Sequence, residues 1–173
     1  MEAMDPSENP DYNALVASLG LSQTQLAQAA NFTNTKYPNI ELEYKLEKPD
    51  EVTANSPSYI QVKIMRDTDD EDSDVVDTTV HAPFYPVKKM ENWWLVVGDE
   101  SSKTLLSIKR ITITKSLTVR LEYTVPTPGE HKLKLFLMSD SYVGVDQDPS
   151  FTVNVAEGEE EDDEDDEDEE MEE

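Results

Sequence analysis

Histidine and cysteine, two side chains that often carry out catalysis, are scarce in this chain. It has two histidines and no cysteine. His81 and His131 each lie beside a predicted turn or strand start, where a surface role is more common than a ligand or base role. The sequence contains no phosphate-binding loop, no dinucleotide fingerprint, no His-Glu-x-x-His and no Gly-x-Ser-x-Gly. We therefore expect a binding protein without a catalytic site or cofactor, and not an enzyme in its own right.

Acidic residues dominate the charge, with 39 Asp and Glu against 14 Lys and Arg. Fifteen of the acids lie in residues 157–173, which we predict to be a disordered tail that serves either solubility or contact with a basic partner. Six more lie between Asp67 and Asp74, in a predicted solvated loop. That loop lacks the central Gly and late Glu of a calcium loop, so no metal is predicted. The negative balance also disfavours direct contact with nucleic acid.

The adjacent pair Trp93 and Trp94 is more informative than any charged residue. Consecutive strand residues point to opposite faces, so only one of the two enters the core. Two interpretations of the other stay open. It covers a sheet edge or packs on the N-terminal helix, or it forms a docking surface, since Trp is enriched at interface anchors.

A nine-residue loop, 139–147, joins the last two predicted strands and supplies three further candidates. Asp140 and Asp146 can hold the loop through hydrogen bonds from side chain to backbone, while Tyr142 packs inward. The alternative is direct contact with a partner. The candidate partner-binding residues are therefore Trp93, Trp94, Asp140, Tyr142 and Asp146.

The elements that position these residues begin with helices. Residues 11–19 predict a short helix closed by Gly20, and Ser22 with Gln25 forms a capping box that opens a second. This helix, with an apolar side at Leu26 and Phe32, should end near Tyr37, because Pro38 disfavours helix at the preceding residue. Residues 1–37 are thus a predicted helical lead-in.

After Pro38 the hydrophobic period changes to strict alternation, as in 40–46, 60–64, 117–125 and 133–137. About seven short strands separated by turn residues predict an all-β, antiparallel sandwich of immunoglobulin or fibronectin type over residues 38–156. Leu135 is expected in its core, and 75–80 are expected to form one of the strands.

Four segments also resemble a known family: 36–44, 93–99, 105–110 and 139–147. They are similar to the end of the Sec-sixty-three-type unit, which occurs in a translocon protein and in large DExH-box RNA helicases. The resemblance covers about residues 10–155 and is closest to the carboxyl end of the spliceosomal U5 snRNP helicases.

The resemblance implies the last helix of a helical subdomain followed by the immunoglobulin-like sandwich. It implies no ATP site here, a nuclear location, and a scaffolding role with splicing factors or the rest of a helicase chain as protein partners. The acidic tail departs from the helicase pattern. It keeps open an alternative, an accessory domain at the endoplasmic reticulum whose tail binds a basic partner, although no stretch of this sequence is apolar enough to cross a membrane.

Overall fold

The computed structural model of the protein describes residues 14, 17–67 and 76–158. The polyacidic tail from 159 onward, most of the acidic loop and most of the first predicted helix lie outside these residues. No helix in the described ranges is long and apolar enough to cross a membrane.

The helical lead-in follows the predicted capping signals. Residues 17–19 are helical and end at Gly20, whose φ of 61° is a left-handed conformation that glycine adopts without strain. Helix α1 spans Gln23–Thr35. The Ser22 hydroxyl accepts from the Gln25 backbone N–H at 3.3 Å, and the Gln25 side chain accepts from the Ser22 N–H at 2.9 Å, so the capping box is confirmed. No residue of α1 is buried.

Seven strands follow in the described part of the chain: β1 Ile40–Leu46, β2 Pro57–Arg66, β3 Trp93–Asp99, β4 Thr104–Ile111, β5 Ser116–Thr124, β6 Gly129–Ser139 and β7 Ser150–Val155. They form a sheet of order β1-β2-β5 and a sheet of order β4-β3-β6-β7, and every pair of neighbours is antiparallel. This arrangement confirms the predicted all-β, sandwich-like fold.

The core lies between the two sheets and is built from alternate residues of each strand. Nine side chains from β2, β3 and β6 have no exposed surface: Ile60, Val62, Ile64, Trp93, Leu95, Val97, Leu133, Leu135 and Leu137. The alternation predicted for β2 and β6, including an inward Leu135, is therefore confirmed. Burial of each such side chain contributes about 1.5–3 kcal/mol.

The prediction of a strand at 75–80 is wrong for residues 76–80, the part of this segment that the structure describes. Within 76–80 only Thr79 forms a bridge, to Met90. The Thr79 backbone N–H donates to the Asp77 carboxylate at 3.0 Å, a side-chain hydrogen bond that competes with a regular ladder. The segment is therefore irregular and runs beside residues 89–91 through two backbone hydrogen bonds, Val80 N–H to Lys89 and Glu91 N–H to Thr78.

Candidate protein-interaction surfaces

The two adjacent tryptophans lie on opposite faces of β3, as their sequence predicts. Trp93 is fully buried, and its indole N–H donates to a Glu91 carboxylate oxygen at 2.6 Å. Trp94 is on the outer face with 36% of its surface exposed, and the Arg110 guanidinium lies 5.5 Å from its ring centre. Trp93 therefore has no surface to offer a partner, whereas Trp94 does.

A buried ion pair beneath Trp93 escaped the sequence analysis. Glu91 receives the guanidinium of Arg66, and the two side chains are only 3% and 8% exposed. Arg66 also donates to the carbonyl of Thr114 at 3.2 Å, so this charge is both paired and hydrogen-bonded. Because Arg66 ends β2 and Glu91 precedes β3, the pair ties the two sheets together. The sequence offered one sign of this ion pair, which is that Glu91 lies two residues before Trp93.

The carboxylates of the 139–147 loop hold that loop in place. Asp140 accepts from the Asn92 backbone N–H at 3.1 Å, and Asp146 accepts from the Ser139 backbone N–H at 2.8 Å. Burial by itself would raise the pKa of Asp140, but hydrogen bonds from Ser141 and Asn92 and the charge of Lys89 outweigh it and lower that pKa. Arg110, which stacks on Trp94, also reaches Asp140 at 3.2 Å. The loop and the exposed tryptophan are thus connected through one guanidinium.

Tyr142 joins the loop to helix α1 through an aromatic junction, which comprises Phe32, Tyr37, His81 and Tyr142. Its ring centre lies 6.4 Å from that of Phe32 and 5.8 Å from that of Tyr37. Its hydroxyl accepts from the His81 backbone N–H at 3.3 Å, and the Tyr37 hydroxyl donates to the Val143 carbonyl at 2.6 Å. Tyr142 is therefore half-buried and positions the helix against the sandwich.

An ion pair reinforces the same junction. The Lys36 ammonium lies 2.5 Å from an Asp77 carboxylate oxygen. This hydrogen bond, followed by those from Thr79, holds the pKa of Asp77 well below its usual range. The end of α1 is therefore bound to the irregular 76–80 segment as well as to the 139–147 loop.

Sequence reasoning also missed a set of exposed apolar side chains that lie close in sequence to residues of the junction. We call the set the loop-end patch, and it consists of Phe84, Tyr85, Val87 and Val143. Phe84 is 100% and Val143 93% exposed, and Tyr85 and Val87 are more than half exposed. The sequence offered one sign of this surface, a run of apolar residues at 84–87 that is interrupted by Pro86. Exposed apolar clusters of this kind mark contact surfaces.

A second apolar surface covers the outer face of the four-stranded sheet. In β3, Val96 lies opposite Ile108 of β4 and Phe136 of β6, and Trp94 lies opposite Met138. A register shift between Val97 and Gly98 skips Leu106, so that Leu105 follows Ile108 on the same face. We call the set the outer patch, and its members are Trp94, Val96, Leu105, Ile108, Phe136 and Met138, of which Val96 is buried and Phe136 and Met138 are half-buried.

The structure thus separates the predicted candidates, with Trp93 in the core. Trp94 belongs to the outer patch, and Asp140 contacts it through Arg110. Tyr142 belongs to the aromatic junction, and Asp146 stays within its own loop. In the ranges that the structure describes, no three His, Cys, Asp or Glu side chains are grouped so as to hold a metal ion.

Comparison with known proteins places these features in context. Residues 6–152 match the Sec63 Brl domain family. The chain is 45% identical to the pre-mRNA-splicing factor brr2 of Schizosaccharomyces pombe over 80% of its own length. It is 41% identical to the U5 small nuclear ribonucleoprotein 200 kDa helicase of Drosophila melanogaster over 83%, and 39% identical to the human protein of the same name over 88%. The chain spans only 6–7% of the length of these relatives. The matches confirm the family resemblance and its helicase branch.

Proposed function

Because the chain belongs to the Sec63 Brl domain family, we propose that it is a non-catalytic protein-interaction and scaffolding domain of a spliceosomal RNA helicase. It acts in the nucleus, in pre-mRNA splicing and spliceosome activation. The names of its relatives, a splicing factor and a U5 ribonucleoprotein helicase, support this proposal. So does their length, because the chain corresponds to a small part of each of these proteins.

The observation that carries the proposal is the exposure of Trp94 within the outer patch. A well-packed sandwich has no need of a large aromatic residue on the solvent side of a central strand. Trp and Arg are the residues most enriched at the centres of protein interfaces, and here Arg110 stacks on Trp94. The outer patch therefore has the composition of an anchor for a protein partner.

The loop-end patch has a different role in this proposal. Its member Val143 accepts a hydrogen bond from Tyr37, just beyond helix α1, whose residues Leu26 and Phe32 are only partly buried and whose other residues are exposed. Two neighbouring uncovered apolar surfaces are typical of a segment that packs on more of its own chain. We assign the loop-end patch and α1 to contact with the rest of a helicase chain, and the outer patch to a separate splicing factor.

A pull-down from nuclear extract tests the proposal. The tagged chain should retain spliceosomal proteins, identified by mass spectrometry, and Trp94→Ala should lose at least one of them. Phe84→Ala is the matched control, since it removes an exposed aromatic side chain from the other surface. It should keep the protein that Trp94→Ala loses.

Two results would contradict the proposal. Recovery of the same proteins by the Trp94→Ala variant would remove the outer patch from partner recruitment. Recovery of a basic translocon protein, lost on deletion of residues 157–173 and on raising the salt concentration, would favour the accessory domain at the endoplasmic reticulum, because exposed charges are screened over about 8 Å at physiological ionic strength.

A further inference from the structure

The two edges of the four-stranded sheet differ in how their backbone groups are hydrogen-bonded. At the β7 edge, the Tyr44 hydroxyl donates to the Ser150 carbonyl at 3.2 Å. Just beyond β7, Ala156 exchanges backbone hydrogen bonds with Val52 and Ala54 at 2.8 and 2.9 Å. At the opposite edge, β4 pairs with β3, and no other strand in the described part of the chain pairs with it. The β7 edge is thus bonded at both ends of the strand, whereas β4, which is eight residues long, has its outer backbone edge unpaired among the described strands.

The side chains beside the β4 edge have a distinctive charge. Between Glu100 and Glu122 the sequence contains five Lys and Arg and no acid, in a chain whose net charge is -25, although one of the five, Arg120, lies on β5 and pairs with Glu47. Lys103 and Lys109 are exposed, and neither forms an ion pair with a described residue. Arg110 reaches Asp140 but keeps 55% of its side chain exposed. The β4 edge is therefore a basic strip on an acidic protein.

Apolar surface lies directly beside this strip. Leu105 and Ile108 of β4 are 58% and 53% exposed, and both belong to the outer patch, Leu105 because of the register shift at Gly98. An added strand would place alternate side chains over these two residues. Its remaining side chains would lie near Lys109, which is on the opposite face of β4, and near Lys103 in the turn before the strand, while Arg110 borders the apolar side.

We propose that the β4 edge binds an extended acidic segment of a partner protein, which adds as a further strand and alternates acidic with apolar residues. The backbone edge would supply main-chain hydrogen bonds, as in other cases of strand addition. The cations select for acidic side chains, and Leu105 and Ile108 select for apolar ones. The inference rests on the proposed function, because it names the chemistry of the partner at the border of the outer patch.

Two other occupants fit less well. A second copy of this chain, paired through the same edge, would bring Lys and Arg against Lys and Arg, which is a known means of preventing edge association. The chain's own acidic tail has Met171 as its only large apolar residue, so it cannot cover Leu105 and Ile108. An acidic segment with alternating apolar residues satisfies both the charge and the apolar surface.

The experiment uses the full 173-residue chain and a fluorescent peptide of alternating Val and Glu, about eight residues long to match the strand. Binding is followed by fluorescence anisotropy, and the site by backbone amide NMR shifts. The Lys103→Glu/Lys109→Glu variant should bind about tenfold more weakly, since two exposed ionic contacts become repulsive. The matched control is Lys45→Glu/Lys88→Glu, which changes the same charge at two exposed lysines elsewhere and should keep the wild-type affinity.

N-methylation of the peptide separates strand addition from simple side-chain contact. One peptide is methylated at every Val nitrogen and another at every Glu nitrogen, so that each blocks one edge. Strand addition predicts that one of them loses binding and the other keeps it. Equal affinity, or equal loss, for the two peptides would overturn the proposal, as would amide shifts confined to β1 or β7.

A separate measurement tests whether the chain's own acidic tail occupies the β4 edge. If deletion of residues 159–173 shifts the β4 amide signals in the absence of peptide, the tail occupies the edge and the partner assignment is wrong. Failure of the proposed function is distinguishable, because it appears as unchanged recovery of spliceosomal proteins by Trp94→Ala, whatever the peptide does.

Discussion

The inner and outer faces of the four-stranded sheet contain similar apolar residues that differ in their exposure to solvent. On the inner face, Trp93 and Leu135 have no exposed surface because the β1-β2-β5 sheet packs over them. On the outer face, Trp94 and Ile108 have no such cover among the described residues and stay partly exposed. The alternation of residue types along a strand sets which side chains share a face, whereas the packing of the second sheet decides which face becomes the core.

The largest change in the free energy of unfolding should come from replacing the tryptophans of the pair, one at a time, with alanine. Trp93→Ala should lower the free energy of unfolding by about 3–5 kcal/mol, because it opens a cavity in the core. It would also leave Glu91 without the indole hydrogen bond. Trp94→Ala should cost about 1 kcal/mol, since part of its surface is already in water. Urea denaturation measures both, and equal losses would show that the outer patch is structural.

A second test compares an ion pair inside the sandwich with one outside it. Glu91→Gln leaves the Arg66 charge buried without a counter-charge and should cost about 3 kcal/mol. Glu43→Gln removes an exposed partner of Lys63, 3.3 Å away, and should cost less than about 0.5 kcal/mol. Chemical denaturation of both variants at neutral pH is the measurement. A small effect at Glu91 would mean that water reaches the buried pair.

The smallest effect concerns Asp140, which connects the loop backbone to Arg110 on the outer face. Its folded pKa lies below the ordinary value of about 3.9, so its contribution to stability is present above that pH and is lost as pH falls through the folded pKa. Asp140→Asn should therefore cost about 1–2 kcal/mol at pH 6 and less at pH 3.

The Asp140 prediction is checked by urea denaturation at both pH values. Asp50→Asn, in an exposed turn, is the control for replacing a carboxylate with an amide. A difference between wild type and Asp140→Asn that stays constant from pH 6 to pH 3 would show that the carboxylate charge is unimportant to the loop.

Much of the fold could be predicted because it depends on local patterns. The Ser22 and Gln25 capping box, the stop before Pro38 and the alternation in β1, β2 and β6 are encoded within a few residues each. The segment 76–80 was predicted wrongly because an Asp77 side chain, not a strand neighbour, satisfies the Thr79 backbone. The division into a lead-in over 1–37, a sandwich over 38–156 and a tail stays a prediction.

Less of the candidate surfaces could be predicted. Trp94, Asp140, Tyr142 and Asp146 were recognisable as candidates from their residue types and neighbours. The Arg66–Glu91 pair was missed because its members are 25 residues apart and meet only when the two sheets stack. Leu105 and Ile108 share a face only because the register shifts beside Gly98, which a strict period of two does not predict.

The sequence by itself determined the fold class, the family and the rule that one tryptophan of the pair lies inside and the other outside. The fold class and the tryptophan rule follow from alternation, which acts over a few residues, and the family follows from the resemblance of four segments. Only the tertiary structure decided that Trp93 is the inner one, that Arg66 and Glu91 pair beneath it, and that β4 has an unpaired edge among the described strands. Those outcomes depend on which strands become neighbours and how the sheets stack, and hence on contacts between residues far apart in the chain.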